Sequence, residues 1–153
     1  MSHIPRFVEY AGAFEHAYES DDWSELEAYF IEDSVYEIGL PILGAERCEG
    51  RAAVLAWFPD VLDRFDRRFA SRELGLLEGP TEEGSEVRIR GTATYTAEGV
   101  PDFVLELVET LRFDGDRIAH LEDRYTAEMK AETEAYIREH GAKLGIALPS
   151  HVL

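Results

Sequence analysis

The sequence has very little cysteine and none of the common motifs for binding metals or nucleotides. Cys48 is the single cysteine, so no disulfide can form within the chain. There is no CxxC pair, HExxH segment, Walker loop, dinucleotide glycine fingerprint or GxSxG elbow. The five histidines are scattered along the chain, which argues against a metal site. We therefore expect neither a metal nor a cofactor.

Long apolar runs and basic clusters are also missing. No segment approaches the ~18 apolar residues of a membrane-spanning helix, and residues 1–6 lack the apolar core of a signal peptide. These absences predict a cytoplasmic protein. The chain has 15 Lys and Arg residues against 32 Asp and Glu residues, a formal net charge of -17. Because this charge repels phosphate groups, we expect no binding to nucleic acid or to anionic membranes.

What the sequence does contain is typical of one folded domain, which we place at residues 1–153. Its first half has helical patterns. Apolar residues spaced as Phe7, Ala11, Phe14 and Tyr18 predict a helix over about 4–19. Asp22 and Glu25 form a capping pattern for a second helix over about 22–31. A strand over 34–38 and a third helix after Gly50 follow. The first half is therefore predicted to contain three helices and one strand.

The second half alternates apolar and polar residues in short segments separated by turns. These patterns predict strands over 71–79, 86–97, 103–113 and 117–126. Thr126 can cap a last helix over about 127–140. Helices followed by consecutive strands favour an α+β fold. We predict a curved antiparallel sheet packed on the three N-terminal helices, with a core of about 5–127 and a C-terminal helical extension over 127–144.

The strand 103–113 carries a carboxylate on its apolar face. Phe103, Leu105, Leu107, Leu111 and Phe113 share one face by alternation, and Glu109 lies among them. An isolated buried carboxylate is costly, so Glu109 must be paired, protonated or in contact with a wet cavity. Two interpretations remain open. Glu109 either forms a salt bridge to Arg90 or Arg124, or acts as a pocket acid with a raised pKa.

A second carboxylate, Asp123, interrupts the apolar face of the next strand between Leu121 and Tyr125. Its relation to Glu109 depends on the hairpin. A three-residue connection places Glu109 diagonal to Asp123, whereas a two-residue Asp-Gly turn pairs Glu109 with His120. The first register keeps Leu121 and Tyr125 inside, and we favour it. Two neighbouring carboxylates raise one of the two pKa values, which leaves one acid and one base near neutral pH.

Aromatic and aliphatic residues on the predicted inner faces supply the wall of such a pocket, although each is also an ordinary core residue. Tyr36 is the third candidate catalytic residue, because a phenol at a cavity wall can donate a proton. The candidate substrate-binding residues are Phe14, Tyr18, Ile38, Trp57, Phe58, Tyr95, Leu107 and Tyr125. The outer strand faces carry Val104, Val108 and Ile118 among polar residues, a mixture that favours a homodimer.

Three segments resemble the nuclear transport factor 2-like superfamily over about residues 5–127. They are residues 21–37 (DDWSELEAYFIEDSVYE), residues 50–54 (GRAAV) and residues 117–125 (RIAHLEDRY). The resemblance implies an α+β cone with a deep apolar pocket. It implies no single activity, because the superfamily includes isomerases, SnoaL-like polyketide cyclases, epoxide hydrolases, dehydratases and non-catalytic domains.

Residue by residue, the resemblance separates these activities. Against ketosteroid isomerases, Phe14 and Ile38 stand at the tyrosine and base positions, and only the acid position keeps an acid, Glu109. Against limonene-epoxide hydrolases, Tyr36 and Asp123 match two water-holding groups, but Ile38 replaces the asparagine. SnoaL-like cyclases use an acid on the last strand, which Asp123 matches.

The SnoaL-like interpretation fits best overall. It implies a small-molecule enzyme that performs cofactor-free isomerisation, cyclisation or hydrolysis on a hydrophobic, oxygenated substrate. In this hypothesis Asp123 is the base, Glu109 is the acid and Tyr36 orients the water or the substrate oxygen. The alternative is a non-catalytic ligand-binding or dimerisation domain of the same fold.

Overall fold

A computed structural model describes residues 2–148, so the predicted domain of 1–153 extends beyond it at both ends. The helical stripe predicted over 4–19 forms α1, Ile4–Ser20, which ends where Asp21 adopts a left-handed conformation. The predicted second helix is a 3₁₀ helix, Trp23–Tyr29, whose first turn is capped by the Asp22 carboxylate. The third predicted helix is α2, Arg51–Arg64.

Six strands form one sheet, and their bounds follow the alternation of apolar and polar residues. They are β1 (Phe30–Ile38), β2 (Arg47–Glu49), β3 (Ser71–Glu83), β4 (Glu86–Thr96), β5 (Phe103–Asp114) and β6 (Arg117–Arg124). Their order across the sheet is β2-β1-β6-β5-β4-β3. All neighbours are antiparallel except β1 and β6, which run parallel. The α+β architecture with a curved sheet, N-terminal helices and a C-terminal helix is as predicted.

The edge strand β3 runs past its predicted end at Gly79 to Glu83. Its pairing with β4 shifts register twice, between Leu76 and Glu78 and between Glu78 and Thr81. Such bulges let an edge strand accommodate Gly79 and Pro80, which are poor strand residues.

The hairpin between β5 and β6 differs from both predicted registers. Asp114 pairs with Arg117, so the loop has two residues, and a bulge at Ala119 then shifts the register. The bulge places Ile118 and Ala119 both in the interior. The prediction of Ile118 on the outer face is therefore wrong. Val104, by contrast, is half exposed.

The last helix, α3 (Ala127–Leu144), begins as predicted, with the Thr126 hydroxyl accepting a hydrogen bond from the Met129 N–H at 3.0 Å. It does not stop at Gly141 but ends at Gly145, which has a left-handed φ of 72°. Gly141 is a packing position, because a Cβ there would lie 3.2 Å from the Ile146 carbonyl oxygen. No helix within residues 2–148 is both long and apolar enough to cross a membrane.

Two apolar clusters fill the interior. The first joins α1, the 3₁₀ helix and α2 to the inner faces of β1, β5 and β6. The second lies at the other end of β4 and β5, where α3 covers it with Met129, Tyr136, Ile137 and Leu144. The residues of α3 do not line the cavity described below. That cavity lies between the N-terminal helices and the inner face of the sheet.

Candidate active site

Glu109 and Asp123, hereafter the acid pair, face each other directly across β5 and β6. The bulge at Ala119 produces this register, in which Leu111 pairs with Leu121 and Glu109 with Asp123. Opposite residues of an antiparallel pair have Cβ atoms roughly 4.5–5.5 Å apart. Strand pairing thus brings two carboxyl groups together inside the molecule.

Tyr36 on β1 holds one side of Asp123. Its hydroxyl donates a short hydrogen bond to Asp123 Oδ2. Asp123 is 6% exposed, and its Oδ1 atom is buried without a hydrogen-bond donor among the described residues. A proton on Glu109 would supply that donor, because strand pairing places the Glu109 side chain directly opposite Asp123. The acid pair therefore fits the sharing of one proton.

Burial raises the pKa of Glu109 well above its ordinary value, and the neighbouring Asp123 carboxylate raises it further. Burial also raises the pKa of Asp123, but hydrogen bonds from Glu109 and Tyr36 oppose that effect. Because these hydrogen bonds stabilise the charged form of Asp123, the shared proton belongs mainly to Glu109. The pair thus contains one protonated acid and one carboxylate.

Among residues 2–148, no cation forms an ion pair with either member of the acid pair. Arg90 contacts Glu78 and Glu106 on the outer face of the sheet, and Arg124 bonds Glu122. Neither arginine forms an ion pair with Glu109 within residues 2–148. The salt-bridge interpretation of Glu109 is therefore wrong, and the pocket interpretation remains.

The acid pair lines a cavity of about 300 Å³ between the helices and the sheet. Its wall is mostly aromatic and aliphatic. Ten of the eleven predicted site residues contribute to it: Phe14, Tyr36, Ile38, Trp57, Phe58, Tyr95, Leu107, Glu109, Asp123 and Tyr125. The cavity also reaches β3, where Leu74 is 52% exposed, so its mouth lies beside this edge strand.

Tyr18 is the predicted substrate-binding residue that does not line the cavity. Its ring lies against the guanidinium groups of Arg67 and Arg72, with 5.1 and 4.6 Å between ring centroid and Cζ. The residue is one helical turn beyond Phe14, where α1 has passed the cavity. Tyr18 supports Arg72 instead.

A second polar group lines the same cavity, away from the acid pair. We call Glu15, Asp66, Arg72 and Tyr95 the arginine cluster. The Arg72 Nη atoms bond both Glu15 oxygens at 2.7 and 3.3 Å. Arg72 Nε lies 3.2 Å from Asp66 Oδ2, which also accepts a 2.8 Å hydrogen bond from the Tyr95 hydroxyl. The cluster joins α1, the turn after α2, β3 and β4.

The sequence matches the SnoaL-like domain family over residues 11–121. The chain belongs to this family. No curated protein matches the sequence. The fold is shared with many solved structures, although the sequences have diverged.

A nuclear transport factor 2-like protein of unknown function from Burkholderia pseudomallei is 21% identical, with a TM-score of 0.65, over 90% of this chain and 98% of that chain. A polyketide cyclase assigned as putative, from Sinorhizobium meliloti, is 24% identical (TM-score 0.55; 76% and 94% covered). An LEH-like epoxide hydrolase from M. tuberculosis is 16% identical (TM-score 0.60; 94% and 98% covered). Likeness at these identities shows the fold alone.

In this SnoaL-like chain, Tyr10 is the phenol near the acid pair that the sequence did not single out. It is 4% exposed and lines the cavity. Burial raises its pKa, and the charges of Glu109 and Asp123 raise it further. Tyr10 lies three residues after Phe7, so the helical stripe itself was the signal that could have found it.

The arginine cluster was also missed. Arg72, Glu15 and Asp66 belong to none of the motifs or apolar faces identified in the sequence. Because four separate elements supply the cluster, no regular spacing of residues along the chain predicts it.

Proposed function

We propose that this SnoaL-like protein is an enzyme that uses the acid pair for acid–base chemistry on a hydrophobic, oxygenated small molecule. Asp123 removes a proton from a carbon next to a carbonyl group, and Glu109 gives its proton to the carbonyl oxygen. The product is an enol, the intermediate from which an isomerisation or a cyclisation proceeds. Tyr36 keeps the Asp123 carboxylate in position.

The observation that carries the proposal is the direct pairing of Glu109 with Asp123 at the cavity wall, where neither acid forms an ion pair within residues 2–148. Asp123 Oδ2 is occupied by Tyr36, so in the proposed step Glu109 turns its proton from Oδ1 to the substrate oxygen, and Oδ1 then takes the proton from the carbon. Glu109 is only half-buried and lines the cavity, so its proton can reach a bound oxygen. One site thus offers a proton donor and a proton acceptor.

Proton transfer from carbon is better supported than activation of water. Holding a water molecule for attack requires several hydrogen-bonding groups around it. Ile38 lies directly opposite Asp123 on β1, and the Tyr36 hydroxyl is already bonded to Asp123. The neighbourhood of Asp123 therefore offers few partners for a water molecule, and hydrolysis is the less supported of the three predicted reactions.

The wall of the cavity supports an apolar substrate body. Aromatic rings from α1, α2 and the sheet surround the acid pair, among them Tyr10, Phe14, Trp57 and Phe58. The substrate also needs a carbonyl oxygen, because that oxygen accepts the proton of Glu109 in the proposed reaction. The predicted homodimer and the cytoplasmic location remain predictions.

Exchange of the methyl protons of p-acetylbiphenyl in deuterium oxide tests this proposal, because exchange proceeds through the enol and is read directly by proton NMR. The wild-type protein is expected to accelerate exchange. Asp123→Asn removes the base and should slow the catalysed exchange by about 10²–10⁴-fold, the usual contribution of a positioned acid or base. Glu109→Gln removes the acid and should slow it similarly.

Glu106→Gln is the matched control, since Glu106 lies on the same strand as Glu109 but on the opposite face, bonded to Arg90. It should exchange the ketone at the wild-type rate. If p-acetylbiphenyl binds the wild-type protein and exchange is no faster than with Asp123→Asn, the acid–base proposal fails. The non-catalytic ligand-binding alternative then stands.

A further inference from the structure

The acid–base proposal uses one end of the cavity and leaves the arginine cluster without a role. Arg72 and Asp66 each keep only 12% of their side chains exposed, yet both line the cavity. Buried charges are costly, and apolar residues of the same volume would fill this end at least as well. A charged cluster in the wall of a ligand cavity is therefore a candidate for contact with the ligand.

The cluster presents an open acceptor beside a guanidinium whose Nε lies 3.2 Å from Asp66 Oδ2 without a hydrogen bond in the described part of the chain. All three Arg72 nitrogens already face carboxylates, Nη1 and Nη2 toward Glu15 and Nε toward Asp66. The contacts of Asp66 with Arg72 and Tyr95 both use Oδ2. Its second oxygen, Oδ1, is the acceptor of the cluster that these two side chains leave open. A ligand group that binds this oxygen must supply the hydrogen.

The charges around the cavity oppose an anion. Four carboxyl side chains line it, from Glu15, Asp66, Glu109 and Asp123, against the single guanidinium of Arg72. Even with one proton on Glu109, the acids exceed the bases. An anionic ligand would be repelled at both ends.

The floor between the two ends is apolar and partly formed by small side chains. On the inner face of β4, Gly91 and Ala93 lie between Ile89, which pairs with Glu109, and Tyr95. Tyr95 lies six positions after Ile89, about 20 Å along an extended backbone. Long side chains at both ends make the open space shorter than this backbone distance. The space suits an elongated molecule that lies along β4 and β5.

We infer that the ligand of this cavity is an elongated, uncharged molecule whose far end carries a hydroxyl group that donates a hydrogen bond to Asp66 in the arginine cluster. This inference rests on the proposed function only in using the same cavity, with the ligand carbonyl at the acid pair. It adds a substrate class, hydroxylated apolar ketones, and a residue that selects it.

Binding of p-acetylbiphenyl and three p′-substituted derivatives, measured by isothermal titration calorimetry, tests the inference. The hydroxy derivative can donate to Asp66, the methoxy derivative cannot, and the carboxy derivative is an anion. The wild-type protein should bind the hydroxy derivative about tenfold more tightly than the methoxy derivative, as expected for a hydrogen bond to a charged acceptor. The carboxy derivative should bind most weakly.

Asp66→Asn should reverse this order in part. The hydroxy-to-methoxy ratio should fall several-fold, and the carboxy derivative should gain affinity because Arg72 loses one of its two carboxylate partners. Asp60→Asn is the matched control, since Asp60 bonds Arg64 on the exposed side of α2 and is outside the cavity lining. It should leave all four affinities unchanged.

Tyr95→Phe provides a second test should Asp66→Asn fold poorly. It removes the hydrogen bond that Tyr95 donates to Asp66 while keeping the ring, so the preference for the hydroxy derivative should be kept or increased. A preference lost in Tyr95→Phe overturns the inference.

The two proposals fail separately. Equal affinities of the wild-type protein for the hydroxy and methoxy derivatives overturn the role of Asp66, even if the ketones still exchange with deuterium oxide. A hydroxyl preference that Asp66→Asn reduces supports that role, even if exchange is absent and the acid–base proposal fails.

Discussion

The two ends of the cavity place buried carboxylates in opposite surroundings. In the acid pair, Glu109 has another acid opposite it and forms no ion pair with an arginine of the described chain. In the arginine cluster, Asp66 has Arg72 Nε at 3.2 Å and the Tyr95 hydroxyl at 2.8 Å. The same chemical group therefore meets a like charge at one end and an opposite charge at the other.

The difference determines what each end can do. A like charge and burial both raise the pKa of Glu109, so this group keeps its proton for transfer. Burial also raises the pKa of Asp66, but Arg72 and the Tyr95 hydroxyl oppose that effect. Asp66 is held closer to its charged form, which favours binding rather than proton transfer. Each of the following substitutions, apart from the controls, removes a group at one of the two ends of the cavity.

Arg72→Met should have the largest effect. It leaves Asp66 and Glu15 without their cation, and breaking a buried ion pair by removing one partner costs about 3–5 kcal/mol. Chemical denaturation at neutral pH should show this loss of free energy of unfolding. The loss should shrink in acid, where protonated carboxyl groups no longer need the guanidinium.

Arg90→Met is the matched control for Arg72→Met. Arg90 bonds Glu78 across the exposed face of the sheet and is 35% exposed. Exposed ion pairs contribute about 0–1 kcal/mol, so this variant should lose at most about 1 kcal/mol. Equal losses in the two variants would mean that the arginine cluster is an ordinary surface network.

Tyr36→Phe should have a smaller effect, at the other end. Asp123 Oδ2 loses its hydrogen-bond donor, and a buried acceptor without a partner costs about 1–3 kcal/mol. The pKa of Asp123 should rise, because the Tyr36 hydrogen bond lowers it. The acid limb of the pH profile of ketone exchange should therefore move to higher pH.

Tyr136→Phe separates this effect from the loss of any buried phenol. The Tyr136 hydroxyl donates to the Pro101 carbonyl oxygen at 2.6 Å, away from the cavity. Its loss should cost about 1 kcal/mol and leave the pH profile of exchange unchanged. A pH profile unchanged in Tyr36→Phe as well would remove Tyr36 from the acid pair.

The same contrast explains which parts of the site the sequence predicted. Strand alternation alone placed Glu109 on an apolar face, since one residue in two along β5 faces inward. Helix and strand patterns also predicted the α+β fold, because apolar residues recur with the helical period in the helices and with a period of two in the strands. These features depend only on neighbours along the chain.

The features that failed depend on contacts between distant segments. The bulge at Ala119 places Ile118 inside and sets Glu109 opposite Asp123, although neither hairpin considered had this register. A bulge is decided by how both buried residues pack against the interior, and no turn motif encodes it. The arginine cluster depends on how α1 and β3 meet, which the sequence does not reveal.

Glu109→Gln should change the free energy of unfolding in the opposite direction, as a gain in stability. The folded state holds the Glu109 proton above the ordinary pKa of 4.5, whereas the unfolded chain releases it near that value. The wild-type protein therefore loses stability as pH rises from about 4.5 through the raised pKa of Glu109. Glutamine stays neutral, so the variant avoids this loss. Each pH unit between the two pKa values is worth about 1.4 kcal/mol.

Denaturation curves measured from about pH 4 to about pH 8 should show equal stability of Glu109→Gln and wild type in acid and a variant that becomes more stable than wild type as the pH rises. Glu106→Gln makes the same chemical change on the exposed face of β5, where its partner is Arg90 at 3.4 Å. Its difference from wild type should stay within about 1 kcal/mol at every pH. A Glu109→Gln variant that loses stability relative to wild type as pH rises would show that the Glu109 carboxylate is stabilised in the folded state. Glu109 could not then be the proton donor.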